Sequence, residues 1–327
     1  MPVITLLEAV REALQEEMRQ DPRVIIMGED VGAKGGVFKA TEGLQREFGE
    51  ERVMDTPLAE SLIAGVAIGA AINGMRPVAE IQFADFIFPA VDQIVSEAAR
   101  MRYRSNGAFT CPIVIRAPFG GGVHGALYHS QCVEAFFYHT PGLKIVAPST
   151  PYDAKGLLKA AIRDDDPVLF FEHKKAYRLI KGEVPETDYV LPIGKAEVRR
   201  RGDDLTIITY GLMTHFCLEA ADALSKEGIE IEVVDLRTII PLDKEAILAS
   251  VERTGKAMIL HEDNKTGGVG GEIAAIIAEE AFDHLDGPIV RVASPDIPAV
   301  PFSPPLEEFF MLTPTKIADA ARKLAEY

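Results

Sequence analysis

Met54-Asp-Thr-Pro-Leu-Ala-Glu-Ser-Leu-Ile-Ala-Gly-Val-Ala-Ile-Gly-Ala-Ala71 is the stretch around which the chain is organised. Thr56 and Pro57 predict the start of a helix, because a hydroxyl residue is a favoured N-cap and proline suits the first helical position. The helix that follows is small and apolar. Gly65 and Gly69 stand four residues apart in it, so a neighbouring element can approach its backbone closely.

Glu60 is the exception in this apolar helix. A capping box from Thr56 would place its acid at position 59, which is alanine, so Glu60 lies one residue too deep for that role. Burial raises the pKa of a carboxyl group, and an acid at the mouth of an apolar helix is therefore suited to proton transfer. The alternative is an acid that only interacts favourably with the helix dipole. Spacing alone leaves both interpretations open.

Length and composition predict a two-domain globular protein. The chain has 327 residues, of which 47% are hydrophobic and 26% charged. A net charge of −16 argues against nucleic acid or an anionic membrane surface as a partner. Three cysteines form no CxxC pair and no even set, as expected for reduced thiols in a cytoplasmic protein. We find no targeting pattern, and no apolar run reaches the roughly 18 residues of a membrane span.

Strands alternate with helices along the first half, which predicts an α/β fold with a parallel sheet covered on both faces. One long helix is expected from Phe86 to Arg104. Between His173 and Gly194 the alternation gives way to polar, proline-containing sequence, and it then starts again in a smaller α/β unit. We therefore place the domains at 1–188 and 189–327. The predicted strands are Val24–Met27, Arg52–Met54, Pro77–Phe83, Pro112–Arg116, Leu143–Ala147, Val168–Glu172, Leu205–Tyr210, Ile231–Asp235, Ala257–His261 and Pro288–Val292.

A glycine-rich loop follows the strand that ends near Arg116. Its glycines at 120, 122 and 125 match GxGxxG, but no helix opens at once and the next strand ends in no acid, which disfavours a dinucleotide site. The loop also presents two imidazoles, His124 and His129. Histidine can move protons near neutral pH, although a solvated loop histidine is the simpler interpretation.

Three consecutive acids, Asp164 to Asp166, close a predicted helix. Carboxylates at a helix C-terminus repel its exposed carbonyl groups. Either water screens this repulsion, or an oxygen-liking cation offsets it.

Several motifs, taken in order, resemble a single family along essentially the whole chain. They are Gly28-Glu-Asp, Asp55-Thr-Pro-Leu-Ala-Glu60, Arg76-Pro-Val-Ala-Glu-Ile-Gln-Phe-Ala-Asp-Phe86, Gly125-Ala-Leu-Tyr-His-Ser-Gln131, Pro148-Ser-Thr-Pro-Tyr-Asp-Ala-Lys-Gly-Leu157 and Val234-Asp-Leu-Arg-Thr238. The family is the β subunit of thiamine-diphosphate-dependent 2-oxo acid dehydrogenases, and the bacterial branched-chain members are the most similar. The resemblance implies a pyrimidine-binding domain with the thiamine-diphosphate-binding fold, followed by a transketolase C-terminal-like domain.

The resemblance also assigns roles to single residues. In the family, an acid at the position of Glu60 hydrogen-bonds the aminopyrimidine ring and favours the imino tautomer, whose nitrogen removes the thiazolium proton. Gln82 and Phe86 match positions that line the pyrimidine pocket, although branched-chain members often carry tyrosine in place of Phe86. His129 matches a histidine near the substrate and the incoming lipoyl group. A potassium site in relatives matches Ile113, Ala161, Ile162, Asp164 and Asp166.

A partner chain is implied as well. Single-chain thiamine enzymes hold the diphosphate through Mg²⁺ on a Gly-Asp-Gly … Asn-Asn segment, and no Asn-Asn occurs in this sequence. By family likeness, an α subunit holds most of the cofactor and its Mg²⁺ in an α₂β₂ heterotetramer. The second domain would form the β–β contact and bind the subunit-binding domain of the lipoyl acyltransferase core.

The expected reaction is the oxidative decarboxylation of a branched 2-oxo acid, with transfer of the acyl group to lipoyl-lysine. The chemistry is the cofactor's, and the protein positions it and tunes its protons. A pyruvate or acetoin dehydrogenase β subunit and a non-catalytic assembly subunit are the alternatives. A third alternative is a nicotinamide-binding oxidoreductase.

Overall fold

All residues from 1 to 327 are described by the computed structural model, in which the chain divides between two units. The first unit comprises Met1–Phe119 and Phe136–Ile193, and the second comprises Gly120–Ala135 and Gly194–Tyr327. Our boundary between residues 188 and 189 stays a prediction. The sequence pattern did not indicate that residues 120–135, which contain the glycine-rich loop, belong with the second unit.

Parallel strands form the framework of the first unit. The strands of the chain are β1 (Val3–Thr5), β2 (Val24–Gly28), β3 (Val53–Asp55), β4 (Arg76–Glu80), β5 (Val114–Phe119), β6 (Lys144–Val146), β7 (Val168–His173), β8 (Lys181–Glu183), β9 (Glu197–Arg200), β10 (Leu205–Thr209), β11 (Ile231–Asp235), β12 (Thr238–Ile240), β13 (Ala257–Asn264) and β14 (Val290–Ser294). Strands β2 to β7 pair in parallel in the order β6-β7-β5-β4-β2-β3. Strands β2, β5 and β7 are buried throughout, which explains why they read as continuous apolar runs.

Helices cover these strands. They are α1 (Leu6–Gln20), α2 (Leu44–Phe48), α3 (Glu60–Ile72), α4 (Met101–Arg104), α5 (Glu134–Tyr138), α6 (Pro151–Arg163), α7 (Ala176–Leu179), α8 (Leu212–Ser225), α9 (Lys244–Thr254), α10 (Val269–Glu280), α11 (Pro304–Phe310) and α12 (Pro314–Ala325). In the first unit, α1 packs against α6 and α3 packs against β4. Helix α1 begins with a full capping box between Thr5 and Glu8.

The long helix predicted from Phe86 to Arg104 is wrong. The chain forms two 3₁₀ turns at Ala84–Phe86 and Phe88–Ala90, then a π-helical segment at Gln93–Ala98, and only then α4. Pro89 lacks an N–H group and cannot continue an α-helical ladder. The break places the backbone around Phe86 in turns that directly follow the end of β4.

The second unit contains a five-stranded sheet in the order β14-β13-β10-β11-β9. Its strands are parallel except β9, which pairs antiparallel with β11. Helix α8 packs on β11, and α12 packs on α8. The predicted α/β class is confirmed for both units. The three cysteines are buried and form no disulfide bond, and no helix combines the length and the apolar character that a bilayer crossing requires.

Candidate active site

Three strands of the first unit end at the same edge of the parallel sheet. Residue Gly28 ends β2, Asp55 ends β3 and Glu80 ends β4, and these three residues are aligned in the sheet register. The Asp55 carboxylate accepts a 2.7 Å hydrogen bond from the Gly32 backbone N–H, which fixes the loop after β2 against the end of β3. Ligands of open parallel sheets bind beyond the carboxyl ends of the strands. This edge is therefore the natural place for a site.

Helix α3 begins at Glu60, three residues later than the predicted first helical residue, Pro57. The Thr56 backbone N–H donates to the carbonyl oxygen of Gly28 at 2.9 Å, and this bond keeps Thr56 in line with β3. The residue before α3 is Ala59, which provides no side-chain cap. Glu60 is thus a first-turn acid, in the position where the helix dipole favours a negative charge. The N-cap predicted at Thr56 is therefore wrong.

The dipole alone does not account for the burial of Glu60, which is 9% exposed. Its neighbour Glu29 follows β2 and is also 9% exposed. Burial, and after it the negative charges of Glu60 and Asp30, raise the pKa of Glu29. Two buried carboxyl groups thus lie close enough to interact at the carboxyl edge of the sheet. Sequence reasoning quoted Glu29 only as part of a motif and gave it no role.

Gln82 and Phe86 follow β4 and belong to the same unit as Glu60. Both are half-buried. Phe86 belongs to a row of four aromatic rings that contact one another in the order Phe86, Phe83, Phe38 and Tyr177. The distances between successive ring centroids are 5.6, 5.4 and 5.3 Å. These contacts give the segment after β4 a fixed apolar surface.

A buried ion network lies in the strands that carry this edge, and the sequence analysis missed it. Arg116 on β5 donates two hydrogen bonds to Glu172 on β7, at 2.7 and 2.6 Å, and one of 2.7 Å to Glu80 on β4. Burial opposes the charge of Arg116, but the two carboxylates outweigh it and raise its pKa. The signal was present, since a charged residue inside an apolar strand requires a partner.

His129 lies in the second unit, on the loop between β5 and α5, and it is partly exposed. Glu60, Gln82 and Phe86 all lie in the first unit. The backbone N–H of Gly120 donates to the carbonyl oxygen of Gln131 at 3.0 Å, which closes the loop around His129.

The positions matched to potassium lie at the opposite, amino edge of the first sheet. Ile113 directly precedes β5, and Asp164 and Asp166 lie between α6 and β7. Side-chain cations neutralise these acids: Lys144 contacts Asp164 at 2.6 Å, and Arg102 contacts Asp166 at 2.6 Å. Sequence reasoning had considered only water and a metal ion. No group of three or more His, Cys, Asp or Glu side chains is arranged to hold a metal ion.

Known proteins resemble the whole chain. Residues 3–180 match the family model "Transketolase, pyrimidine binding domain", and residues 194–317 match "Transketolase, C-terminal domain". The chain is 66% identical to 2-oxoisovalerate dehydrogenase subunit beta of Bacillus subtilis (strain 168), over 327 residues and 100% of both chains. It belongs to the family of 2-oxo acid dehydrogenase β subunits. The resemblance drawn from the sequence motifs is thereby confirmed.

Other members of the 2-oxo acid dehydrogenase β-subunit family are also similar. The chain is 51% identical to pyruvate dehydrogenase E1 component subunit beta of Bacillus subtilis (strain 168) and 47% identical to that of Staphylococcus aureus (strain Mu50 / ATCC 700699), each over 100% of both chains. Among solved structures it resembles "Split gene transketolase, inactive beta4 tetramer" with a TM-score of 0.79 and 26% identity, covering 99% of this chain and 98% of that one.

Enzymes of this β-subunit family depend on thiamine diphosphate, and the carboxyl edge fits the ring end of that cofactor. The Glu60 carboxyl group can accept or donate a hydrogen bond to a heterocyclic nitrogen. Four residues before it, the hydroxyl oxygen of Thr56 is buried and has no hydrogen-bond partner among the protein groups. A buried polar atom without a partner is rare in proteins and often marks the place of a ligand.

Proposed function

We propose that this chain is the β subunit of a branched-chain 2-oxo acid dehydrogenase and that Glu60 holds the ring end of thiamine diphosphate. The reaction would decarboxylate an acid of the 3-methyl-2-oxobutanoate type and pass the acyl group to lipoyl-lysine. The observation that carries this proposal is the burial of Glu60 beside Glu29 at the carboxyl edge of the sheet. Buried carboxyl groups with a like charge nearby are suited to holding and releasing a proton.

Each residue of the edge has a distinct task in this proposal. Bound thiamine diphosphate supplies the carbanion chemistry. Glu60 would hydrogen-bond the aminopyrimidine ring and would favour the tautomer that the cofactor needs. Gln82 and the half-buried ring of Phe86 line the pyrimidine side and limit the access of water. None of these groups is suited to bind a diphosphate, so the charged end of the cofactor and its Mg²⁺ are assigned to another chain.

His129 is assigned to the acyl-transfer half of the reaction. Its imidazole is partly exposed on a glycine-rich loop, where an incoming lipoyl group can reach it. A histidine can donate a proton near neutral pH as the lipoyl sulfur is reduced. The exposure of the loop supports this role, because the lipoyl group arrives on a separate protein.

The other chain of the proposed site is an α subunit in an α₂β₂ heterotetramer. Helix α3, which starts with Glu60, leaves Leu62 44% and Val66 50% exposed on its outer surface, and nothing lies within 4 Å of a side chain built at Gly69. An apolar surface of this kind is typical of a protein interface. The solved relative is titled as inactive when composed of β chains alone, which supports a requirement for α. We assign the complex to the cytoplasm. The second unit of this chain would bind the lipoyl acyltransferase core.

A potassium ion at the amino edge is a separate part of the proposal. Backbone carbonyl groups have two lone pairs, so those of Ile113, Ala161 and Ile162 can bind a cation beside their present hydrogen bonds. Arg76 competes for this place, because its guanidinium group donates to the carbonyl oxygens of Ile162 and Asp164 at 3.1 and 2.8 Å. No step of the reaction depends on the ion. Equal melting temperatures in KCl and NaCl of the same ionic strength would contradict the proposed potassium site.

Pyruvate is the second candidate substrate. Phe86 leaves this substrate open, because branched-chain members of the family often carry tyrosine at that position. A panel of branched 2-oxo acids, pyruvate and acetoin, assayed with the reconstituted complex, decides between them through the ratios of kcat/KM.

Reconstitution tests the proposal as a whole. The chain is expressed with and without its α partner, and oxo-acid turnover is measured with and without thiamine diphosphate. We expect co-purification and turnover only when both chains and the cofactor are present. Decarboxylation by the β chain alone would contradict the proposal, and a complex that assembles but never turns over any oxo acid would favour a non-catalytic assembly subunit.

A further inference from the structure

The loop that carries His129 is attached to the rest of the second unit at both of its ends. At the start, the Gly121 backbone N–H donates to the Glu262 carboxylate of β13 at 2.5 Å. At the end, the Tyr210 hydroxyl donates to the Glu134 carboxylate at 2.6 Å, and both side chains are buried. These two contacts fix where the loop begins and ends. They leave its middle, around residues 122–131, dependent on other contacts.

One side-chain contact, between His124 and Glu307, reaches that middle part. The Nδ1 atom of His124 lies 2.5 Å from the Oε2 atom of Glu307, a residue of helix α11. The side chain of His124 is 76% exposed, whereas that of Glu307 is 5% exposed. The other carboxylate oxygen of Glu307, Oε1, is buried and has no hydrogen-bond partner among the protein groups. A buried carboxylate is unfavourable without an opposite charge or donor, and His124 is the residue that supplies one here.

The backbone of this loop is strained next to the contact. His124 and Ala126 have φ angles of +56° and +50°, in the left-handed region that residues with a Cβ atom rarely adopt. Strained backbone of this kind persists only where surrounding contacts hold it, and it is concentrated at functional sites. His129 follows Ala126 by three residues. The direction of its imidazole therefore depends on the strained turn being kept.

We propose that Glu307 is a positioning residue that holds the His129 loop through its contact with His124. The inference rests on the proposed function, in which His129 serves acyl transfer to the lipoyl group. Glu307 takes no part in the chemistry, since its carboxylate is buried and contacts His124 in the middle of the loop. Its expected effect is confined to the step that uses His129, and decarboxylation as such does not depend on it.

Two assays on the reconstituted complex test this proposal. One measures decarboxylation with an artificial electron acceptor, and the other measures acylation of lipoyl-lysine. We expect Glu307→Leu to lower kcat for lipoyl acylation about tenfold, within the range of contact coupling energies, while the acceptor assay changes less than twofold. Glu307→Gln should retain more activity than Glu307→Leu, because its amide oxygen can still accept a hydrogen bond from Nδ1–H. Glu308→Leu, on the exposed side of the same helix, is the matched control and should behave like the parent.

A double-mutant cycle shows whether Glu307 acts through His124. The variants Glu307→Leu and His124→Asn should each reduce lipoyl acylation, and the double variant should be no worse than the stronger single one. Multiplied losses would overturn the proposal, and so would equal losses in the two assays. If His129→Ala has no effect on lipoyl acylation, the role of His129 in the proposed function is contradicted, whatever the Glu307 variants show.

Hydrogen exchange gives a readout that is independent of catalysis. In the full-length Glu307→Leu variant, amides of residues 120–131 should exchange faster, and in Glu307→Gln the increase should be smaller, while those of β10 and β11 remain as in the parent. Unchanged exchange in the loop would contradict the proposal. Faster exchange throughout the second unit would show a general loss of stability and would also contradict it.

Discussion

Arg116 and Glu172 form a two-pronged ion pair inside the first sheet, with both side chains at 0% exposure. The pair joins β5 to β7, and a third group, Glu80, ties in β4. The Tyr177 hydroxyl also donates to Glu172. Three of the strands that carry the carboxyl edge are thus held in register by one polar network. Its members are mutually satisfied, which is the condition under which a buried ion pair is tolerated.

Removing Arg116 should therefore be severely destabilising. Arg116→Met leaves two buried carboxylates without their cation, a change that costs about 3–5 kcal/mol in comparable cases. Urea unfolding followed by circular dichroism measures the change. Arg322→Met, which breaks an exposed ion pair to Glu227, is the control and should leave the midpoint unchanged. Equal effects of the two substitutions would show that the buried network stabilises the protein no more than an exposed ion pair does.

Glu134 should make the stability of the second unit fall as the pH rises. Burial, and then the charge of Asp263, raise the pKa of Glu134 from 4.5 to about 8. The folded protein then binds a proton between these values that the unfolded chain has released, so stability decreases with pH across the interval and levels off above it. Glu134→Gln should flatten this slope. Melting temperatures at several pH values between 5 and 9 provide the measurement, and an unchanged slope in the variant would contradict the assignment.

His129→Ala should affect the two halves of the reaction differently. A general acid contributes about 10²–10⁴-fold to a proton-transfer step, so lipoyl acylation should decrease by a factor in that range. Decarboxylation measured with an artificial acceptor should change little. Similar losses in both assays would remove His129 from its proposed role.

The outer surface of α3 should be required for assembly with the α subunit. Val66→Glu introduces a charge into the exposed apolar surface and should prevent co-purification, while circular dichroism of the free β chain stays unchanged. Val190→Glu is the matched control, because Val190 is 45% exposed and Val66 is 50% exposed. A complex that forms normally with Val66→Glu would place the interface elsewhere.

Much of the fold could be predicted from local pattern. Leu6, Val10 and Leu14 of α1 are four residues apart, the spacing of one helix face, and all three are buried. Strands β2, β5, β7, β10 and β11 were found within a few residues of their bounds, because continuous apolar runs between turn residues have few alternatives. The parallel arrangement followed from the alternation with helices.

Errors arose where a distant contact decided a local conformation. Helix α3 begins at Glu60 and not at the predicted Pro57, because a backbone hydrogen bond to Gly28 keeps Thr56 in line with β3, and no local pattern contains that bond. The segment 120–135 belongs to the second unit through contacts with residues more than 70 positions away, such as Tyr210 with Glu134. Sequence spacing carries no information on such partners. The role of Glu60 came from family likeness, since its position alone was equally consistent with a dipole interaction.

The most direct test of the account is Glu60→Gln in the reconstituted α–β complex with thiamine diphosphate. Glutamine keeps the size of the side chain and a hydrogen-bonding oxygen but cannot exchange the proton. We expect assembly and thermal stability to match the parent, and decarboxylation of branched 2-oxo acids to be abolished. Glu51→Gln, an exposed acid of the same unit, controls for the loss of a charge. Near-normal turnover by Glu60→Gln would contradict the central claim.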